Sequence, residues 1–242
     1  MPLHGKHRHV QRHLNWRIAL LFAFGASFFI LGGVLSLEPQ WALAIGFDSA
    51  DVNLIFFCGS IPFTTAAFLQ LFQAANTAVK PTPLSDDVKT VWLGWRPREL
   101  NWLSCALQFL GTLMFNINTF DAMYPWAASM QHIAVWAPDM AGSILFLVSA
   151  LLAYADCVHA LGAWRPRNLE WWICVANLVG CIAFMVSAVL AFVPVDGQTA
   201  EALSWSLLTT IIGAVGFLVG GLLLLSEPDK NLQTDASLIS KQ

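Results

Sequence analysis

Three stretches of the chain follow one pattern: WRIALLFAFGASFF at residues 16–29, WLSCALQFLGTLMF at 102–115 and WWICVANLVGCIAF at 171–184. Each obeys W-x8-G-x3-F, through Trp16, Gly25 and Phe29, then Trp102, Gly111 and Phe115, then Trp171, Gly180 and Phe184. A second signature, G-[SA]-[IV]-x-F, follows each one. It starts at Gly59, Gly142 and Gly213 and ends at Phe63, Phe146 and Phe217. The Trp-to-Gly separations are 43, 40 and 42 residues. Two of the units are also preceded by a longer match, Trp95-Arg96-Pro97-Arg98 and Trp164-Arg165-Pro166-Arg167, whereas the first keeps only Leu14-Asn15-Trp16. Self-similarity at a fixed period signals tandem copies of one supersecondary unit.

Composition gives the solvent of those units. Of 242 residues, 57% are hydrophobic and 11% are charged, against roughly 25% charged in soluble domains. So few charges do not cover a globular surface. An ordinary cytosolic enzyme, a disordered chain and a nucleic-acid binder are excluded. A helix needs about 20 mostly apolar residues to cross the hydrocarbon core. Six windows qualify: Trp16–Leu37, Asn53–Ala75, Trp102–Met123, Met140–Cys157 (or on to Leu161), Trp171–Val193 and Leu203–Leu225. The first is too long for a typical signal-peptide core and no convincing A-x-A cleavage site follows it. Alternation of period two, the mark of a transmembrane barrel, is absent.

The expected fold is therefore an all-α polytopic membrane protein, with six spans forming three tandem helical hairpins in a pseudo-threefold arrangement. The ranges are a basic, His-rich tail at 1–13, hairpins at 14–80, 95–163 and 164–226, a linker at 81–94 and a polar tail at 227–242. Each hairpin crosses twice, so successive hairpins share an orientation, unlike inverted transporter repeats. The twelve Lys and Arg lie in the N-terminal segment, the 2–3 and 4–5 connections and the C-terminal tail. The other connections carry Glu38, Asp48, Asp51, Asp139, Asp196 and Glu201. Basic loops stay cytoplasmic, so both termini are expected there.

The paired patterns read as a packing code. Gly25, Gly59, Gly111, Gly142, Gly180 and Gly213 let helix backbones approach in lipid, and the following Phe fills the adjoining space. Trp95, Arg96, Arg98, Trp102, Trp164, Arg165, Arg167 and Trp171 read as interface anchors, Trp for the headgroup layer and Arg for lipid phosphates or helix ends. A cytoplasmic docking patch is the functional alternative.

The segments Phe57-Cys58-Gly59-Ser60-Ile61-Pro62-Phe63-Thr64-Thr65-Ala66-Ala67-Phe68-Leu69-Gln70 and Ala141-Gly142-Ser143-Ile144-Leu145-Phe146, with the N-W…G…F pattern, resemble the YrhK-like domain of bacterial membrane proteins. The resemblance covers most of residues 14–226. It implies a multi-pass protein of a bacterial plasma membrane. The family has no established activity, so the resemblance supplies no catalytic residue.

Polar residues inside spans are functional candidates, because burying them costs free energy. Ser104, Gln108, Thr112 and Asn116 recur at i+4 in the third span, followed by Asn118 and Asp121. Gln108 shares its repeat offset with Asn177. These seven form a candidate polar path or pocket; the alternative is plain interhelical hydrogen bonding. Asp156 and His159 form a candidate proton-handling pair, or an interfacial pair with water access. His4, His7, His9 and His13 lie among basic residues and read as a lipid-facing tail. Cys58, Cys105, Cys157, Cys174 and Cys181 contain no C-x-x-C, which argues against a thiol oxidoreductase of that kind. No phosphate loop, zincin or nucleophile-elbow motif occurs, and neither a metal site nor a cofactor is expected. His132 and His159 fall on opposite sides by the topology, so a shared haem is not expected.

Two functions follow. The first is a non-catalytic membrane component that scaffolds, assembles or regulates a partner, with contacts to the bilayer, another membrane protein or a second copy. The second is a small-solute or ion transporter using the polar stripe. The topology is checked with reporters: a fusion after Gln242 should report the cytoplasm, and one inserted after Gly46 the opposite side.

Overall fold

The computed structural model describes residues 3–77, 90–158, 165–192 and 199–226. Among these the regular elements are all helical. Six helices are long and apolar enough to cross a membrane. They are α1 (Leu3–Leu37), α3 (Ser49–Thr77), α4 (Leu100–Asp121), α6 (Ala137–Val158), α7 (Leu169–Leu190) and α8 (Ala200–Leu225). Two short helices, α2 (Pro39–Ala44) and α5 (Ala128–Gln131), and a π turn at His132–Trp136 lie between them. The chain is thus a multi-pass helical membrane protein.

The backbone of α1 begins at Leu3, so the basic segment is helical and continuous with the first span. Asp51, Asp139 and Glu201 lie in the first turns of α3, α6 and α8, not in connections, because each helix starts before its apolar run does.

The spanning helices pack in chain order into a closed ring: α1 on α3, α3 on α4, α4 on α6, α6 on α7, α7 on α8, and α8 back on α1. Their outward faces carry Leu20, Phe24 and Leu31 on α1, Ile144, Val148 and Leu151 on α6, and Ile212, Val215, Val219 and Leu222 on α8. That three- to four-residue spacing is one face of a helix. Every buried polar residue described is Ser or Thr: Ser60, Ser104, Thr112, Thr119, Ser143, Ser149, Ser187 and Ser206. Apolar surface outside and small hydroxyls inside suit a chain whose solvent is lipid.

Glycine pairs set close crossings at α1–α3, α4–α6 and α7–α8. A Cβ on Gly25 would stand 2.8 Å from the Gly59 carbonyl oxygen and 2.5 Å from Phe63. One on Gly111 would meet Phe146 at 2.5 Å and the Gly142 carbonyl at 3.2 Å. One on Gly180 would meet the Gly213 carbonyl at 3.0 Å. At each crossing the partner backbone and a packed phenylalanine ring together occupy the space. The phenylalanines then point to the middle of the ring. Phe29, Phe63, Phe217, Phe146, Phe115 and Phe184 make a closed circuit, with successive ring centroids 5.0–6.2 Å apart. Phe22 adds an edge-on contact to Phe63 at 5.4 Å. Edge-to-face pairs add about 0.5–1.5 kcal/mol each beyond area burial.

The α1–α3 connection is fixed locally. Gly46, at φ +82°, ends α2. Its N–H reaches Leu43 O and that of Phe47 reaches Ala42 O, the paired bonds of a Schellman cap. Asp48 then opens α3: its Oδ1 accepts from Asp51 N–H and its own N–H donates to Asp51 Oδ2, both at 3.0 Å. That reciprocal pair is a capping box with Asp in both places.

Gly111→Ala should cost about 1–3 kcal/mol, the usual range for overpacking a filled site. Gly111→Leu should abolish the folded, monodisperse fraction in detergent. Leu110→Ala, on the exposed face of the same helix, should leave the melting temperature within a few degrees. Thermal melts followed by size-exclusion chromatography make the comparison.

Candidate functional site

The polar residues of α4 do not share one face in the ring. Ser104 is buried against α6, where its Oγ donates to Ser149 O at 3.0 Å and Ser149 Oγ donates to Ser104 O at 2.8 Å. Thr112 turns inward, is 1% exposed, and donates to Phe109 O of its own helix at 2.6 Å. Asn116 turns to α3, where its Oδ1 accepts from Thr64 Oγ1 at 3.1 Å. Thr119, one turn further, donates to Ser60 Oγ at 3.3 Å. Asn118 turns toward the π turn, and its Nδ2 donates to Val135 O at 2.9 Å. A residue step of 100° against a four-residue spacing drifts by about 40° per repeat, so the stripe winds past both neighbouring helices.

The remaining candidates are scattered. Gln108 is half-buried on α4. Asn177 is half-buried on α7 and faces α8, where a Cβ on Gly220 would stand 2.6 Å from its Oδ1. Asp121 ends α4; its side chain is half-buried and its backbone carbonyl accepts from the Trp126 indole at 2.8 Å. Asp156 is exposed on the last turns of α6, and His159 lies outside the described residues. The structure therefore brings Ser104, Asn116 and Asn118 each to a different neighbour, and does not gather the seven into one pocket.

The centre of the ring is also filled. Phe29, Ser60, Phe63, Thr112, Phe115, Phe146 and Phe184 line a void of about 10 Å³. A cavity needs roughly 10–15 Å³ to hold one water, and a water needs two to four polar partners. Here the lining is nearly all aromatic, and the hydroxyls of Ser60 and Thr112 already donate to Phe57 O and Phe109 O.

The hydroxyl pairs that join neighbouring helices were the part the sequence reading missed. In α7 and α8, Ser187 Oγ donates to Ser206 O at 2.9 Å and Ser206 Oγ returns a bond to Ser187 O at 3.1 Å. Thr210 Oγ1 lies 2.6 Å from Ser187 Oγ. Ser143 Oγ ties α6 to Phe184 O of α7 at 3.3 Å. A signal for two of them existed. Ser104 stands seven residues before Gly111 and Ser149 seven after Gly142; Ser187 stands seven after Gly180 and Ser206 seven before Gly213. In antiparallel helices that cross at the glycines, such positions meet two turns away.

The eight named anchors divide into two kinds. Trp102 and Trp171 are 5% and 3% exposed. The Trp102 indole donates to Leu93 O at 2.7 Å, and that of Trp171 to Tyr154 Oη at 3.4 Å. Trp95 is 83% exposed, although its ring edge meets Trp102 with centroids 5.5 Å apart. Arg98, Arg165 and Arg167 are exposed, and Arg96 pairs with Glu99 at 3.4 Å. Trp164 lies outside the described residues. The arriving strand of chain before Trp95 is held by Asn76, whose side chain exchanges two hydrogen bonds with the Val91 backbone, at 2.7 and 3.0 Å. Gly94 follows at φ +43°, where a Cβ would press on Ala75 at 3.2 Å.

Among the described residues no three His, Cys, Asp or Glu side chains are placed to hold a metal ion. No family model, curated protein or solved structure matches the chain.

Interhelical hydroxyl bonds in membranes contribute about 0.6 kcal/mol on average and up to about 1.7. A double-mutant cycle on Ser104→Ala and Ser149→Ala should give a coupling in that range. Ser104→Ala with Ser206→Ala, in different helix pairs, should be additive. Unfolding in mixed micelles measures both.

Proposed function

We propose that this protein is a non-catalytic component of a bacterial plasma membrane, a YrhK-like triple hairpin that scaffolds, assembles or regulates a membrane partner. The observation that carries the reading is the phenylalanine-filled centre. A solute path needs groups that replace hydration, or at least room for water. The ring offers six aromatic rings and a void of about 10 Å³ there. The polar residues of α4 that most invite a transport reading give their hydrogen bonds to α3, α6 and the π turn. They join helices, which is the work of a scaffold.

The triplication is part of the same proposal. Its support is the recurrence of one contact, glycine against glycine with Phe four residues on, at the α1–α3, α4–α6 and α7–α8 crossings. In this reading both termini are cytoplasmic, and the two W-R-P-R turns share one side of the membrane. Trp95, Arg98, Arg165 and Arg167 are exposed there and form the surface offered to a protein partner or a second copy.

Native mass spectrometry from gently solubilised membranes, with flux assays in proteoliposomes, tests the proposal. The expected result is a stoichiometric protein partner or a defined homo-oligomer, and no flux above empty vesicles. Trp95→Ala with Arg98→Ala should then release the partner while leaving the melting temperature unchanged. A lone protein that carries a specific solute, and whose flux is lost in Asn116→Leu or Asp121→Asn, overturns it.

A further inference from the structure

Asp139 stands seven residues before Phe146 on α6. At 100° per residue the two side chains differ by about 20° around the helix. Phe146 belongs to the central circuit, so Asp139 also faces inward, two turns nearer the start of α6. The outward residues Ile144, Val148 and Leu151 lie about 120–180° away from it. Two other crossings show what this position meets. Asp139 stands three before Gly142, as Phe56 stands three before Gly59 and Thr210 three before Gly213. On the partner helices Asn118 stands seven after Gly111, as Gly32 does after Gly25 and Ser187 after Gly180. A Cβ on Gly32 would stand 2.9 Å from the Phe56 ring, and Thr210 Oγ1 lies 2.6 Å from Ser187 Oγ. The same offsets set Asp139 beside Asn118. The Asn118 Nδ2 donates to Val135 O, one turn before Asp139, at 2.9 Å. That bond holds the amide at this level and leaves its Oδ1 to accept or coordinate. The backbone here is irregular. The Ala137 N–H reaches back five residues to His132 O, and Pro138 has no N–H. Neither residue supplies the usual four-residue bond, to Ile133 O or Ala134 O. The π turn runs straight into α6, so Asp139 is not at a free helix end. Its side chain is half-buried. Among the described residues no cation and no hydrogen-bond donor pairs with its carboxylate. A carboxylate inside a spanning bundle needs a counter-charge.

We propose that Asp139 and Asn118 hold a monovalent alkali cation, sodium, between α4, α6 and the π turn. Asp139 supplies the negative charge. Asn118 Oδ1 and a carbonyl of the π turn supply neutral oxygens. Hard cations take oxygen ligands, and irregular backbone inside a membrane protein is a recurrent source of them. One carboxylate with one monovalent ion leaves no net charge in apolar surroundings, whereas a divalent ion would leave one. The ion ties the start of α6 to the end of α4, where the two helices otherwise meet through the Asn118 amide. It lies two turns beyond the phenylalanine circuit, at the end of the ring away from Trp102 and Trp171, and needs no path through the centre. The site therefore stands whether or not the protein is a scaffold.

The test uses the full chain in nanodiscs, moved from choline chloride to sodium chloride at constant pH and ionic strength. Sodium should raise the melting temperature by a few degrees along a saturating curve, as a ligand of the folded state does. Asp139→Asn keeps the side-chain volume and should melt at the same temperature in both salts. Asn118→Ala should move half-saturation to higher sodium. A second readout uses dicyclohexylcarbodiimide, which modifies carboxyl groups in apolar surroundings. Peptide mapping should find Asp139 labelled in choline and protected by sodium. This wild-type protection decides the matter even if a variant fails to fold. Equal melting of the wild type in both salts, a sodium shift that persists in Asp139→Asn, or labelling of Asp139 that sodium does not slow overturns the proposal.

Discussion

The structure depends on the approach of helix backbones at three glycine pairs. In lipid the tails are as apolar as the side chains, so burial of hydrocarbon does not drive helices together. Association then rests on contact density, which falls off within an ångström of misfit. Glycine at both sides of a crossing lets the backbones close until a carbonyl stands near 3 Å from where a Cβ would be. Phenylalanine one turn further on then fills what the closure leaves, and it lies over the partner's glycine. The aromatic circuit at the centre is a consequence of those crossings, because each one aims two rings inward.

The same constraint explains which polar groups the interior tolerates. Close crossings have room for Ser and Thr but not for long polar chains, and the buried polar residues described are all of those two types. Reciprocal bonds between Ser104 and Ser149, and between Ser187 and Ser206, satisfy each hydroxyl on a carbonyl of the partner helix. A carbonyl has a second lone pair, so it accepts such a bond without leaving its own ladder. The α1–α3 crossing uses another means. The corresponding positions there are Ile18 and Ala66, both buried and apolar, and the polar bond lies further along, from Gln73 to Asn15.

Outside the ring, short-range chemistry closes the connections. A Schellman cap at Gly46 and a capping box at Asp48 and Asp51 turn the chain between α1 and α3 within a few residues. Asn76 holds the chain entering α4 by imitating a backbone partner for Val91. The Asn168 side chain caps the start of α7 by accepting from Glu170 N–H at 2.9 Å. These devices fix where each helix begins, and so set the height at which its glycine meets its partner.

Apolar length determined the number of spanning helices, because a span is a property of some 20 consecutive residues and needs no partner. The recurring Gly and Phe positions were likewise legible in the order of residues alone. The function of each polar residue was not. Ser104, Thr112 and Asn116 read as one stripe, yet they address α6, the centre and α3 in turn. Trp102 and Trp171 read as headgroup anchors by type and place, yet both rings are buried, whereas Trp16 at the same offset is 55% exposed. Sequence determines which residues occupy a helix and at what angular interval. Which neighbour each angle faces depends on the order of helices around the ring and on the height at which they cross, and only the tertiary structure fixed those.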